Sequence, residues 1–231
     1  MSDKLARIIE KIDQADTDIL PGAIRRGLEK ESLRIDAEGA LSQQPHPSAL
    51  GAALTHRYIT TDYSEALLEF VTPVTEDVET LIGFLNQLHR FTYLNIGDEK
   101  LWVNSMPCIL HGEESIPIAY YGESNAGRMK TVYRQGLAHR YGKLMQTISG
   151  IHFNFSLEDQ FWHFYRDLCG STVPLRDFKS EAYLGLMRNF YRNDWMIPYL
   201  FGASPAVCGT FLEWLDHHLQ PLGDLYYFLP Y

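Results

Sequence analysis

With 231 residues, 45% of them hydrophobic and 13% aromatic, the chain can bury the core of one large domain or two small ones. Its 21% charged content excludes the disordered class. A formal net charge of -9 excludes a protein that grips phosphate backbones with clustered Lys and Arg, so no nucleic-acid partner is expected.

The same acid surplus fits a site that gathers carboxylates around divalent cations. The three cysteines, Cys108, Cys169 and Cys208, are far apart and show no CxxC or Cys/His zinc spacing. They read as reduced thiols in a cytosolic protein. The opening "MSDKLARIIEKID" is a charged amphipathic segment rather than a signal peptide, and no apolar run approaches the ~18 residues of a membrane span. The expectation is a cytoplasmic chain with no membrane partner.

Leu5, Ile8, Ile9 and Ile12 recur at helical spacing and predict a helix over 3–14. "GLEKESLRI", Gly27 to Ile35, reads as a strand, with "DAEGAL" as the turn after it. Leu67 to Val71 alternates, Leu68 and Phe70 opposite Glu69, and predicts a second strand. Thr75 is a candidate N-cap for a long helix through Leu81, Leu85 and Leu88, with Gly97 as its end. Residues 98–127, holding two prolines and three glycines, read as a long loop region with functional potential.

Helical spacing resumes in "NAGRMKTVYRQGLAHRYG". "SGIHFNFSL" then alternates cleanly, with Ile151, Phe153 and Phe155 on one side and His152, Asn154 and Ser156 on the other. Two aromatic-rich helices follow, near 158–168 and 179–201, with Phe, Tyr and Trp at core spacing. The run from Leu225 to Tyr231 should lead into a strand whose neighbours are missing, leaving an unpaired edge.

Residues i and i+2 of a strand share a face, which turns Glu29 and Glu31 to the same side. Two such carboxylates repel by about 4 kcal/mol at about 4 Å when the effective dielectric is near 20. Either a positive charge sits over them or the face is wet. Asp62 and Glu69 in "TTDYSEALLEF", with His152 and Asn154, complete an oxygen-rich set with one imidazole, which suits Mg²⁺ or Mn²⁺. Spacing alone leaves solvated sheet faces and a hydrogen-bonded structural histidine equally open. "YGESNAGRMK" could hold an anion at a helix start, but it matches neither a P-loop nor a dinucleotide fingerprint. Tyr133 and Leu137, one helical turn apart, are a core pair on spacing alone.

Taken in order, "RRGLEKESLRI", "HPSALGAALTHRYITTDYSEALLEFVTPV", "SMPC", "YGESNAGRMKTVYRQGLAHRYGKLMQTISGIHFNFS" and "WMIPYLFGASPAVC" closely resemble the bacterial glutamate–cysteine ligases. The resemblance runs from about residue 20 to the last residue. It implies an α+β fold, a curved antiparallel sheet with outer helices like that of glutamine synthetase. Here that fold would be incomplete because the chain is truncated, with residues 1–231 forming the N-terminal part of a single catalytic domain.

The resemblance further implies ATP-dependent joining of the glutamate γ-carboxylate to the cysteine amine through an acyl phosphate, the first step of glutathione synthesis. By motif, Glu29, Glu31, Asp62, Glu69 and His152 match the family's Mg²⁺ (or Mn²⁺) ligands. Tyr133, Leu137 and Ile148 match its cysteine pocket, and Gln146 and Asn154 lie where glutamate or the phosphoryl group would be touched. No catalytic residue is assigned. A related carboxylate–amine ligase with another amine acceptor, and a non-catalytic truncated remnant, are the alternatives. The expected partners are glutamate, cysteine and ATP.

Overall fold

The computed structural model describes residues 3–14, 24–107, 109–202, 205–213 and 216–228. By internal contacts the chain divides into two compact units, Met1–Arg26 with Phe155–Ala203, and Gly27–Asn154 with Ser204–Tyr231.

The second unit is organised by two sheets. Strand β1 (Ile24–Ile35) runs antiparallel to β3 (Leu67–Val71), which runs antiparallel to β2 (Ile59–Thr61). On its other side β1 pairs with β4 (Lys100–Leu101) and with β5 (Ile151–Leu157). The β1–β3 register places Leu33 opposite Leu67, Glu31 opposite Glu69 and Glu29 opposite Val71. Because strand side chains alternate, one face of the sheet changes along its length from Leu33 and Leu67 to the glutamates.

The opposite face carries Leu68 and Phe70. These pack with Leu50, Ile59, Leu88, Ile96 and Leu101 beneath helix α2 (Val78–Tyr93). Each large apolar side chain buried there contributes about 1.5–3 kcal/mol. A second core cluster joins Leu33 and Leu67 to Tyr63, Leu110, Ile116, Leu144, Phe211 and Leu212.

Arg34, on the Leu68 side of β1, is fully buried. Its guanidinium donates to Glu99 Oε2 at 2.6 Å and to the carbonyls of Gln44 (2.7 Å), Pro45 (3.2 Å) and Glu65 (3.0 Å). A buried charge survives only when paired in this way.

Helix α3 (Asn125–Tyr141) starts at Ser124, whose hydroxyl accepts from the Gly127 amide at 3.1 Å. Gly127 is required there, since a Cβ would stand 2.5 Å from the Tyr121 carbonyl oxygen. The small second sheet has the order β6 (Ala206–Cys208), β8 (Tyr226–Phe228), β7 (Gln220–Leu222), with both pairings antiparallel. Helix α7 (Gly209–Leu212) places Phe211 and Leu212 in the core.

The first unit holds α1 (Asp3–Gln14), α4 (Asp159–Leu168), α5 (Leu175–Asn193) and α6 (Met196–Phe201). Aromatic contacts join α4 to α5: Trp162 meets Tyr183 edge-on at 4.8 Å, and Tyr165 meets Phe178 at 5.7 Å. Lys11 of α1 donates to the Leu168 carbonyl at 3.3 Å.

Several expectations are corrected. The cap of α2 is Asp77, which accepts from the Thr80 amide at 2.6 Å, while Thr75 accepts from the Asp77 amide. The helix ends at Tyr93 rather than Gly97. The helix expected over 179–201 begins at Leu175 and breaks between Asn193 and Met196. Its large apolar residues, among them Leu184, Met187, Phe190 and Tyr199, are exposed instead of forming a core.

The loop over 98–127 holds β4 and a 3-10 turn at Glu113–Ser115. Within the run from Leu225, Tyr226–Phe228 is itself a strand, β8, paired on both sides as the middle strand of its sheet. Leu229 to Tyr231, together with Cys108, lie outside the described residues. Cys169 and Cys208 are free thiols. No helix among the described residues is long and apolar enough to cross a membrane.

Candidate active site

The acidic end of the β1–β3 face is where the expected residues meet. Glu29 and Glu31 come from β1, Glu69 from β3 opposite Glu31, and His152 and Asn154 from β5. The Glu29 carboxylate is held at both oxygens. His152 Nδ1 stands 3.1 Å from Oε2, and the Asn154 amide donates to Oε1 at 2.8 Å. Glu31 Oε2 accepts from the Gly150 amide at 2.7 Å, and Glu31 Oε1 is 4.0 Å from His152 Nε2.

Asp62 follows β2 directly. Its amide donates to the Leu67 carbonyl at 3.0 Å, and its own carbonyl accepts from Tyr121 Oη at 3.1 Å and from Arg134 Nε. Lys130 and Arg134 of α3 stack on the Tyr121 ring at 4.9 and 4.7 Å, so Asp62 is fixed through its backbone.

Electrostatics divides the glutamates. Hydrogen bonds from His152 and Asn154 hold Glu29 below the usual carboxylate range, and the Glu29 bond raises His152. Burial raises Glu31, opposed by the Gly150 N–H, and the charges of Asp62 and Glu29 add to the rise. Glu69 is pushed up to about 7 by burial, then by Asp62, Glu29 and Glu31. The opposing positive charge for both comes from His152. Like charges gathered without enough counter-charge show this pattern.

Four carboxylates and an imidazole form a donor set that a hard divalent cation accepts, so the chemistry fits Mg²⁺ or Mn²⁺. The positions are not closed on a common point. Among the described residues no group of three or more His, Cys, Asp or Glu side chains is placed to hold a metal ion. The oxygens of Glu29 are taken up by His152 and Asn154, and one of Glu31 by Gly150.

Of the pocket residues, Leu137 and Ile148 are partly buried against the same core cluster as Leu33, Tyr63 and Leu144. Tyr133 stands 64% exposed on α3. Gln146 is half-buried in a 3-10 turn, its amide donating to the Lys143 carbonyl at 3.1 Å. The structure therefore brings Leu137 and Ile148 to one cluster and leaves Tyr133 outside it. Tyr121, Arg134 and the Gly150 amide were not anticipated. Arg134 sits inside the "VYRQGL" motif and was legible there, whereas nothing in the sequence ties Tyr121 to Asp62.

Comparison with known proteins identifies the family. The model of the glutamate-cysteine ligase family matches residues 9–231. The chain is 57% identical over 220 residues to a glutamate–cysteine ligase of Alcanivorax borkumensis, covering 95% of this chain and 42% of that protein. It is 53% identical over 224 residues to one of Hahella chejuensis, covering 96% and 42%.

Among solved structures, it is similar to a Francisella tularensis glutamate–cysteine ligase in complex with AMP. That match has a TM-score of 0.80 and 39% identity, covering 89% of this chain and 40% of that one. A bifunctional glutathione synthetase from Pasteurella multocida matches with a TM-score of 0.77 and 32% identity, over 86% and 26%. The fold and its acidic sheet face thus define a carboxylate-rich α+β scaffold. The chain belongs to the glutamate–cysteine ligase family. It spans about two-fifths of the length of the curated relatives it matches, an N-terminal portion of them.

Proposed function

We propose that this chain is the N-terminal part of an ATP-dependent ligase that joins the γ-carboxylate of glutamate to the amine of cysteine through an acyl phosphate, in the cytoplasm. A carboxylate is a poor electrophile, so ATP must first phosphorylate it before an amine can attack. The observation that carries this reading is the acidic sheet face, where the register sets Glu69 opposite Glu31 and where His152 and Asn154 of β5 meet Glu29. Phosphoryl transfer needs such a face, because bound Mg²⁺ or Mn²⁺ neutralises phosphate charge and stabilises the transferring group.

Glu29, Glu31, Asp62, Glu69 and His152 would hold the cation. Asn154 orients Glu29 through its 2.8 Å bond, and with Gln146 it would touch the glutamate or the phosphoryl group. Leu137 and Ile148 would give the cysteine side chain an apolar wall, and Tyr133, exposed on α3, would meet it from solvent.

A non-catalytic remnant is favoured by one observation, that no three potential ligands are grouped to hold a metal among the described residues. One experiment separates the readings. Product formation dependent on ATP, Mg²⁺, glutamate and cysteine is measured for this chain alone and for a chimera. In the chimera, the A. borkumensis sequence beyond the matched region is joined to Tyr231. γ-Glutamylcysteine from the chimera, lost on Glu69→Ala, supports the ligase reading. ADP release only with another amine points to a related ligase. No turnover in either protein leaves the remnant.

A further inference from the structure

Strand β1 gives one edge to two strands, to β4 at Arg34 and Ile35 and to β5 on the Glu31 side. The segment from Trp102 to Met106 leads from β4 to the start of β5. The Trp102 amide fixes its beginning by donating to the Leu33 carbonyl at 2.8 Å. The Trp102 indole N–H closes the segment on itself, donating to the Met106 carbonyl at 2.7 Å. Ser105 ties the far end to Ser149 twice. The Ser149 amide donates to the Ser105 carbonyl at 2.9 Å, and the Ser105 hydroxyl donates to the Ser149 carbonyl at 2.6 Å.

The Ser149 carbonyl belongs to the same planar peptide unit as the Gly150 N–H. That N–H donates to Glu31 Oε2 at 2.7 Å, while the Gly150 carbonyl accepts from the Glu31 amide at 3.0 Å. A hydroxyl bonded to one end of a rigid plane sets the direction of the donor at the other end. It also polarises the amide and strengthens that donor. We propose that Ser105 is a positioning residue for Glu31, its hydroxyl aiming the Gly150 N–H at the carboxylate through the Ser149–Gly150 peptide. The proposal rests on the reading of Glu31 as a cation ligand. The backbone bond between Ser149 and Ser105 needs no hydroxyl, so it joins the segments in any variant. Ser105 is exposed, so cutting it to Ala opens no cavity.

The test uses the 231-residue chain and two readouts. Mn²⁺ affinity is read from the electron paramagnetic resonance of the free ion, and amide exchange is followed by NMR without metal. Ser105→Ala should raise the Mn²⁺ Kd about fivefold, the weight of one hydrogen bond. It should speed exchange of the Gly150 amide about tenfold and leave the Arg34 amide, bonded to Ala66, unchanged. Ser105→Thr, which keeps the hydroxyl, should restore both values. In a Glu31→Gln background, Ser105→Ala should weaken Mn²⁺ binding no further, because the hydroxyl acts through Glu31. Unchanged Gly150 exchange in Ser105→Ala overturns the proposal, and so do equal losses in the Ala and Thr variants. A parent that binds Mn²⁺ no better than Ser105→Ala also overturns it. If the parent binds no Mn²⁺ at all, the cation reading falls alone, and Gly150 exchange with its rescue by Thr still decides the positioning.

Discussion

Glu29 Oε2 and His152 Nδ1 stand 3.1 Å apart across 123 residues of chain. The contact joins β1 to β5 and lowers the glutamate's pKa while raising the histidine's. Both residues are proposed cation ligands, so a bound cation would compete with this contact. Millimolar Mg²⁺ or Mn²⁺ should replace it and raise the melting temperature by at least about 3 °C, since a ligand that binds only the folded state shifts the midpoint. Glu29→Gln should blunt that rise. Scanning calorimetry with and without the cation is the check, and an unchanged midpoint counts against the assignment.

Glu69 gives the pH dependence. Its folded pKa of about 7 lies above the ordinary 4.5, so the folded state holds the proton more tightly than the unfolded one. The stabilisation is complete below the unfolded value and is lost as pH rises through the folded one. In the absence of divalent cations, the urea midpoint should therefore fall between pH 4.5 and 7 through this group. Glu69→Gln should flatten that fall. A variant whose pH profile matches the parent would refute the shift.

The Arg34–Glu99 pair is a structural counterpart to the site. The two side chains are 0% and 15% exposed and 2.6 Å apart. Glu99→Ala leaves the guanidinium buried with three carbonyls but no counter-charge, which should cost about 3–5 kcal/mol. Denaturant unfolding measures it, and a loss under about 1 kcal/mol would mean that the carbonyls alone suffice.

Tyr133 and Leu137 separate pocket from core. Tyr133 is exposed, so Tyr133→Ala should change stability by under about 0.5 kcal/mol. Leu137, packed on the core cluster, should cost about 2 kcal/mol when cut to Ala. In the chimera, Tyr133→Ala should raise KM for cysteine more than for glutamate. An equal effect on both substrates removes Tyr133 from the pocket.

Strong local patterns were legible in the sequence. The helix over 3–14, the strand over 67–71 and the alternation at 151–157 follow from side-chain periodicity, which needs no tertiary information. The three-residue strands β2, β6, β7 and β8 were not legible. Three residues carry no periodicity, and they are strands because a neighbour offers hydrogen bonds.

The side shared by Glu29 and Glu31 followed from the strand period, but Glu69 facing Glu31 depended on a register that the sequence does not print. The exposed apolar faces of β5 and α5 mark the limit of reading apolar as buried. Composition says that a side chain prefers cover, and only the fold shows whether cover is present.

The central claim is that Glu29, Glu31, Asp62, Glu69 and His152 serve one divalent cation on a single face of the sheet. Anomalous diffraction from crystals of the 231-residue chain soaked in Mn²⁺ tests it most directly. The account predicts a manganese peak on the β1–β3 face in contact with Glu31 and Glu69, with the His152 ring released from Glu29. A peak elsewhere on the chain, or none while Glu29 and His152 keep their 3.1 Å contact, would contradict it.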